Sequence, residues 1–195
     1  MTRVIAGSAR GRRLVVPSGR GTRPTADRAR EALFSTLEAL TGSLAGSRVL
    51  DLYAGSGAIG LEACSRGAAA ALLVESDPGA ERAIRANIEA VGLAGVTVQR
   101  TRVERLVAGT AVGDTYDIAV LDPPYDLEDD ALRAVLGDAL AHGWLARHAV
   151  VAVERATRGG PWTWPPGFEA ERSRTYGEAT LWYGHAGPSP GPEPP

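Results

Sequence analysis

The stretch Asp51-Leu-Tyr-Ala-Gly55-Ser-Gly57-Ala-Ile-Gly60 constrains this chain more than any other. It separates a predicted strand, Arg48–Leu52, from a predicted helix, Ala58–Arg66, and so opens a βα unit. Gly55, Gly57 and Gly60 let the backbone turn sharply and approach a ligand closely. In open sheets built from such units, ligands bind outside the carboxyl ends of the strands, where the strand order reverses. Asp51 is expected at such an end. So is Asp122, where a later strand runs into Asp122-Pro123-Pro124-Tyr125.

Helices and strands alternate along the rest of the chain. Thr25 is read as the N-cap of a helix reaching about Leu40, with Leu33, Phe34, Leu37 and Leu40 as its apolar face. The pattern then predicts strand Ala71–Glu75, helix Pro78–Val91, strand Val96–Arg100 and a short helix near Val103–Val107. Strand Tyr116–Leu121, helix Asp129–His142 and strand Ala149–Glu154 follow. Pro78 near the first turn and Gly92 past the last one mark the ends of helix Pro78–Val91. Two more strands, near Phe168–Arg174 and Thr180–Tyr183, are close enough for a hairpin. The fold class is therefore α/β: a mainly parallel sheet covered on both faces, with an antiparallel edge.

Residues 1–23 read as a basic extension in which Arg3–Ala6 and Arg13–Val16 flank a turn-rich centre in a small hairpin. Residues 24–185 read as the main domain. Residues 186–195, rich in Pro and Gly, read as a disordered tail. The net charge of −2 conceals an asymmetry. Residues 1–30 carry eight Arg and one acid, whereas the remainder carries 13 Arg and 22 acids. All 21 basic residues are Arg, whose planar guanidinium suits phosphate and stacked bases. A basic block beside an acidic body points to nucleic acid, with Arg10, Arg12, Arg13, Arg20 and Arg23 as phosphate contacts. The single cysteine, Cys64, excludes an internal disulfide and a cysteine metal cluster. No metal, no membrane span and no secretory signal are expected, which makes a cytoplasmic enzyme the default; a monomer is expected.

The spacing Gly55-x-Gly57-x-x-Gly60 also satisfies the dinucleotide fingerprint, and Glu75 lies 20 residues past Gly55, where a ribose-binding acid belongs. A nicotinamide oxidoreductase is thus a competitor. Two features favour S-adenosylmethionine (SAM). The carboxylate of Asp51 suits the cofactor's ammonium group, whereas a pyrophosphate at that turn disfavours extra negative charge. The second feature is the Pro-Pro motif, which hydride transfer does not need. Gly55, Ser56, Gly57, Glu75 and Ser76 are accordingly candidate cofactor contacts, with Glu75 on the ribose hydroxyls.

An exocyclic NH2 on a base is a poor nucleophile because its lone pair is delocalised into the ring. Asp122 and a backbone carbonyl, that of Pro123, can hold both N–H bonds so that the lone pair faces a sulfonium methyl. The prolines fix φ and remove competing donors. Tyr125 can stack on a base that has left its own stack. On these residues alone, adenine N6, cytosine N4, guanine N2 and a protein amide all remain open, as does a catalytically silent RNA-binding module.

Several blocks together resemble the bacterial RsmD-type 16S rRNA guanine-N2 methyltransferases. They are Arg3-Val-Ile-Ala-Gly7 with Arg10-Gly-Arg12; Arg23-Pro-Thr-Ala-Asp-Arg-Ala-Arg-Glu-Ala-Leu-Phe34; Asp51 through Ala63 with Ser65-Arg-Gly67; Val74-Glu-Ser-Asp77; and Asp122-Pro-Pro-Tyr125. The resemblance implies a seven-stranded class I SAM-dependent methyltransferase fold. It implies methylation of one guanine, position 966 in standard rRNA numbering, within the small ribosomal subunit. It carries over Asp51, Gly55, Gly57 and Glu75 as cofactor contacts and Asp122 to Tyr125 as the catalytic segment, and places Thr25 and Arg28 near the active site. Where the family has Asp or Asn near the adenine, this chain has Thr101-Arg102-Val103-Glu104. The Val103 N–H is assigned that contact instead. Cys64, the histidines and Trp162, Trp164 and Trp182 read as packing or surface residues. Glu154 reads as a surface or loop-pairing acid.

Overall fold

The computed structural model describes residues 2–17, 24–113 and 115–187, with backbone alone for 24–26. Strands β1 (Thr2–Arg3) and β2 (Arg13–Leu14) pair antiparallel as an N-terminal hairpin. The main body runs α1 (Pro24–Thr41), β3 (Arg48–Leu52), α2 (Ala58–Ser65), β4 (Ala70–Glu75), α3 (Pro78–Val91) and β5 (Val96–Arg100). It continues through α4 (Val103–Val107), β6 (Tyr116–Leu121), α5 (Asp129–Ala141), β7 (Leu145–Ala156), β8 (Phe168–Tyr176) and β9 (Ala179–Ala186).

The main sheet has seven strands in the order β5-β4-β3-β6-β7-β9-β8. The first five are parallel, and β9 lies antiparallel to both β7 and β8. The chain moves outward from β3 through β4 to β5, then returns to place β6 on the other flank of β3. The strand order therefore reverses between β3 and β6, and the crevice at their carboxyl ends is where such a sheet binds its ligand.

Side chains alternate across the strands into two apolar layers. Val49, Ile118, Val120 and Ala152 pack with Leu33, Phe34 and Leu37 of α1, Leu61 of α2 and Ile84 of α3. Leu50, Leu52, Leu121 and Val153 pack with Leu106 of α4 and Leu132 and Leu136 of α5. Burial on both faces explains the near-continuous apolar strands.

Several boundaries differ from expectation. Helix α1 begins at Pro24, so Thr25 lies in its first turn and is not the cap; proline's fixed φ suits the first helical position. Strand β7 is 12 residues long, beginning before the expected Ala149. Its early part is masked in sequence by Arg147 and His148, which sit in an irregularity between the Tyr116 and Ile118 pairings, with His148 at φ 63. Strand β9 continues through Ala186, and the Gly187 N–H donates to Gly167 O at 2.7 Å. The sheet therefore claims Ala186, the first residue assigned to the tail, and Gly187 is held by a hydrogen bond just beyond it. Residues 188–195 lie outside the described residues.

The hairpin is docked on the body. Glu62 of α2 is fully buried and accepts the Ile5 N–H at 2.6 Å and the Ala6 N–H at 2.9 Å. Ser65 Oγ accepts from the Ala9 N–H and donates to Ala6 O. Asn87 of α3 accepts the Val15 N–H and donates to Val15 O. Val4, Ala9 and Leu14 add their side chains to the core beneath α1. These polar anchors satisfy the backbone of a segment whose own two-residue strands are too short to stand alone.

Candidate active site

The register brings the two sequence motifs together. Leu52 pairs with Leu121, and the Asp122 N–H reaches Leu52 O at 3.5 Å, one step beyond the ladder. Asp51 and Asp122 thus sit at neighbouring carboxyl ends, directly at the switch point. Glu75 ends β4 on the far side of β3.

Asp51 is 1 % exposed and accepts the Gly60 N–H at 3.0 Å. Helix α2 starts at Gly57, which has no side chain to cap it, so a carboxylate from β3 satisfies an orphan donor of its first turn. Burial raises the Asp51 carboxyl from 3.8 to about 7; the Gly60 bond opposes that rise, and Asp122 and Glu75 reinforce it. A cation placed among these acids reverses the penalty.

Glu75 is also buried, and both its oxygens hold backbone. Oε2 accepts the Gly55 N–H at 2.9 Å, and Oε1 accepts the N–H groups of Ser76 and Asp77 at 2.8 and 2.9 Å. This shapes the loop and also discriminates between cofactors. The Gly55 N–H, a donor that a pyrophosphate would need at this turn, is already directed to a carboxylate. The local charge is negative, which suits an ammonium or sulfonium group.

The glycines serve packing more than ligand approach. Gly57 (φ 76) takes a left-handed turn, and a Cβ there would come within 2.6 Å of Leu73. A Cβ at Gly60 would come within 2.5 Å of the same side chain. Their absence of side chains lets α2 lie against β4. Ser56 holds the loop through its carbonyl, which accepts from Asn87 Nδ2 at 2.9 Å.

In front of these residues opens a cleft of about 330 Å³, within the size range of small-molecule sites. It is lined by Glu75 and Ser76, by Thr101 to Glu104, and by Pro124, Asp126 and Leu127. Val103 lines it as the first residue of α4, where a helix leaves its N–H without an intrahelical partner. Arg102 is the exposed residue preceding that helix and also lines the cleft. Tyr53 is a lining residue that sequence reasoning missed. It adopts φ 66, rare for a bulky residue, and its hydroxyl donates to Glu104 at 3.1 Å. Burial and Glu104 push its phenol upward. Its position inside the glycine motif is visible in sequence, but its backbone conformation is not.

Pro123 is buried and Pro124 exposed. The Pro124 carbonyl accepts the Leu127 N–H at 3.0 Å, closing a turn after the motif. Tyr125 is 54 % exposed. Arg28 is exposed on α1 and is not among the residues lining the cleft. Arg10, Arg12 and Arg13 are exposed on the hairpin, with Arg12 Nη1 reaching Ala90 O at 3.5 Å. Arg20, Arg23 and the Thr25 side chain lie outside the described residues. Cys64 is a buried free thiol that burial raises to about 11, as packing requires. Trp162 is buried and meets Trp164 edge-on, and Trp164 stacks on Phe168. Among the described residues no group of three or more His, Cys, Asp or Glu is placed to hold a metal ion, and no helix is long and apolar enough to cross a membrane.

A pH dependence follows from Asp51. Its carboxyl is raised in the folded state, so the native protein holds a proton that the unfolded chain releases between 3.8 and about 7. Stability therefore falls as pH rises through that window. Asp51→Asn keeps an acceptor for Gly60 and removes the ionisation. We expect the variant to gain on wild type by roughly 2–4 kcal/mol between pH 4 and pH 8 in denaturant unfolding. Parallel pH profiles would refute this.

A seven-stranded sheet of this order, with an acid-lined crevice at the β3/β6 switch, defines the class: the protein has the fold of SAM-dependent methyltransferases and SAM is its cofactor. Within that class the chain belongs to the family described as Conserved hypothetical protein 95, whose model matches residues 2–185. It is 34% identical over 176 residues to the Escherichia coli (strain K12) Ribosomal RNA small subunit methyltransferase D, covering 90% of this chain and 85% of that protein. The Haemophilus influenzae protein of the same name is 31% identical over 156 residues, covering 78% and 77%. Among solved structures, yhhF from Escherichia coli superposes with a TM-score of 0.82 at 31% identity, covering 95% of this chain and 97% of that one. The Thermus hypothetical protein TTHA0928 gives 0.75 at 34% identity, covering 94% and 98%.

Proposed function

We propose that this protein transfers the methyl group of SAM to the N2 amine of a guanine in 16S rRNA, the guanine at position 966, within the small ribosomal subunit. The observation that carries this reading is the register at the switch point, which sets Asp122 beside the Asp51–Glu75 loop. SAM supplies an electrophilic methyl on a sulfonium centre. Asp51 and Glu75 suit its positive end and ribose, Ser76 and the Val103 N–H its nucleoside, and the cleft above α4 its adenine. Asp122 and the Pro123 carbonyl accept the two N–H bonds of the amine, and the exposed Tyr125 ring supports the base. The Pro124 carbonyl is engaged by Leu127, which favours Pro123 in that role. Catalysis is positioning plus electrostatics, with no covalent enzyme intermediate. The similarity to proteins named ribosomal RNA small subunit methyltransferase D supports an rRNA substrate.

Ligand titration and subunit labelling test the reading. SAM and its demethylated product should raise the melting temperature by mass action, while NAD should not. Labelled SAM with small subunits from a strain lacking the enzyme should then mark one guanine, located by mass spectrometry. Stabilisation by NAD, or label on adenine or cytosine, would overturn it.

The basic hairpin is the proposed rRNA contact. Neutralising Arg12 and Arg13 together should weaken binding and lower the slope of log K against log salt by about one to two. An unchanged slope would remove these two residues from the interface.

A further inference from the structure

We propose that Glu154 is a specificity residue of this same site: its carboxylate accepts the N1–H of the target guanine while Asp122 holds the adjacent amine. The inference rests on the guanine reading above. Sequence alone suggests a surface or loop-pairing acid, but the strand order places it otherwise. Strands β6 and β7 are parallel neighbours with Leu121 opposite Val153. The next residue on each is Asp122 and Glu154. Leu121 and Val153 both face the α4–α5 layer, so their successors face the opposite side, the side of Val120 and Ala152. Glu154 is half-buried there, with its backbone paired to Leu181 of β9.

The proximity is felt electrostatically. Burial raises the Glu154 carboxyl to about 8, and the charge of Asp122 adds to the rise. A second carboxyl held out of water next to the catalytic one is costly for folding alone, and a ligand that donates hydrogen bonds to it offsets that cost.

Guanine fits that requirement. Its Watson–Crick edge presents two kinds of donor side by side, N1–H and N2–H2. Adenine and cytosine instead place a ring-nitrogen acceptor next to their amine; the ionised Glu154 repels that acceptor, whereas the protonated carboxyl would donate to it. Glu154 ionises as the base docks, passing its proton to water, because N1–H then satisfies the carboxylate. Asp122 therefore serves amine geometry, which all three bases share, and Glu154 serves the choice among them.

The test compares wild type with Glu154→Gln on small subunits reconstituted with either guanine or 2-aminopurine at the methylated position. 2-Aminopurine keeps the N2 amine but offers an N1 acceptor. Assayed above the value of about 8 to which Glu154 is raised, where its carboxylate is ionised, wild type should prefer guanine in kcat/KM by about 10- to 100-fold. Glu154→Gln, whose amide can accept from guanine N1–H through its oxygen or donate to the 2-aminopurine N1 through its NH2, should lose most of that preference, chiefly by gaining 2-aminopurine turnover. Glu154→Asp, which keeps an acceptor, should retain a preference for guanine. The demethylated cofactor product should stabilise each variant as it does wild type, which confirms a folded site. A guanine preference equal in wild type and Glu154→Gln, with both substrates slowed alike or neither slowed, overturns the assignment. Failure of wild type to methylate any guanine would instead sink the underlying functional reading, and that is measured separately.

Discussion

Asp122→Ala is expected to reduce methyl transfer by about 10²–10³-fold while leaving cofactor binding nearly unchanged. The reasoning starts from the amine. Its lone pair lies in the ring system and becomes available only when both N–H bonds are held out of that plane. In the proposed mechanism Asp122 supplies the anionic one of two acceptors, so its loss removes orientation and also stabilisation of the positive charge that develops on nitrogen. The fold should tolerate the change, since Asp122 is exposed at the end of β6. Its charge also raises the carboxyls of Asp51 and Glu154, so removing it eases their ionisation. Product binding, read by thermal shift, should therefore hold or improve. Asp122→Asn keeps an oxygen acceptor without the charge and should fall between the two. Turnover by the alanine variant within about threefold of wild type would rule out the proposed chemistry, because no positioned group worth several kcal/mol is lost so cheaply.

The largest stability effect is expected at Glu62. This carboxylate is fully buried, holds the Ile5 and Ala6 N–H groups, and receives Arg66 Nε at 2.8 Å. Arg66 in turn pairs with Glu31 and Glu38 and lies over the Phe34 ring, 4.9 Å from its centre. Glu62→Ala strands two backbone donors and takes from Arg66 its one buried partner, leaving it the more exposed Glu31 and Glu38. Breaking a buried pair from one side costs about 3–5 kcal/mol, which corresponds to a melting temperature lower by roughly 10 °C for a chain of this size. Glu62→Gln should recover little, since its amide turns a donor toward donors. The hairpin should become the first site of proteolysis. Gly7→Ala should give a related result by a steric route: at φ 80, a Cβ there would come within 1.8 Å of Ser65 O. A Glu62→Ala protein that melts within about a degree of wild type, with the hairpin still protected, would show that the arm is held by something else.

The two outcomes separate chemistry from architecture. In the proposed mechanism Asp122 acts on the amine, while Glu62 anchors the backbone of the hairpin that carries Arg10, Arg12 and Arg13. Loss of rRNA affinity in the Glu62 variant would follow from a displaced arm, and cofactor binding at temperatures below its melting point should persist.

Much of this is legible in the sequence because it is local. The glycine turn, the Pro-Pro motif and the periodicity of α3 depend on neighbours a few residues away, and those elements lie where expected. Strand ends are less legible. The early part of β7 carries Arg147 and His148, polar residues that sit in an irregular pairing, and β9 extends to Ala186 because partners flank it on both sides. Gly57 and Gly60 suggest room for a ligand, yet what they make room for is Leu73, one strand away. The hairpin is visible as a basic turn-rich segment, but its anchors are acids and amides on α2 and α3, more than 50 residues distant.

The amino-acid order by itself determined the alternation of elements, the two chemical motifs and the uneven distribution of Arg, because each follows from short-range periodicity, turn geometry and charge. Tertiary structure alone decided which acids meet. Asp122 comes to lie between Asp51 and Glu154 only once β6 has inserted between β3 and β7, and Glu75 becomes a clamp on Gly55 only through the β3–β4 register. Burial in the assembled sheet raises the carboxyls of Asp51 and Glu154, and the charge of Asp122 adds to the rise, since a charge out of water responds to what surrounds it in space, whatever its distance along the chain.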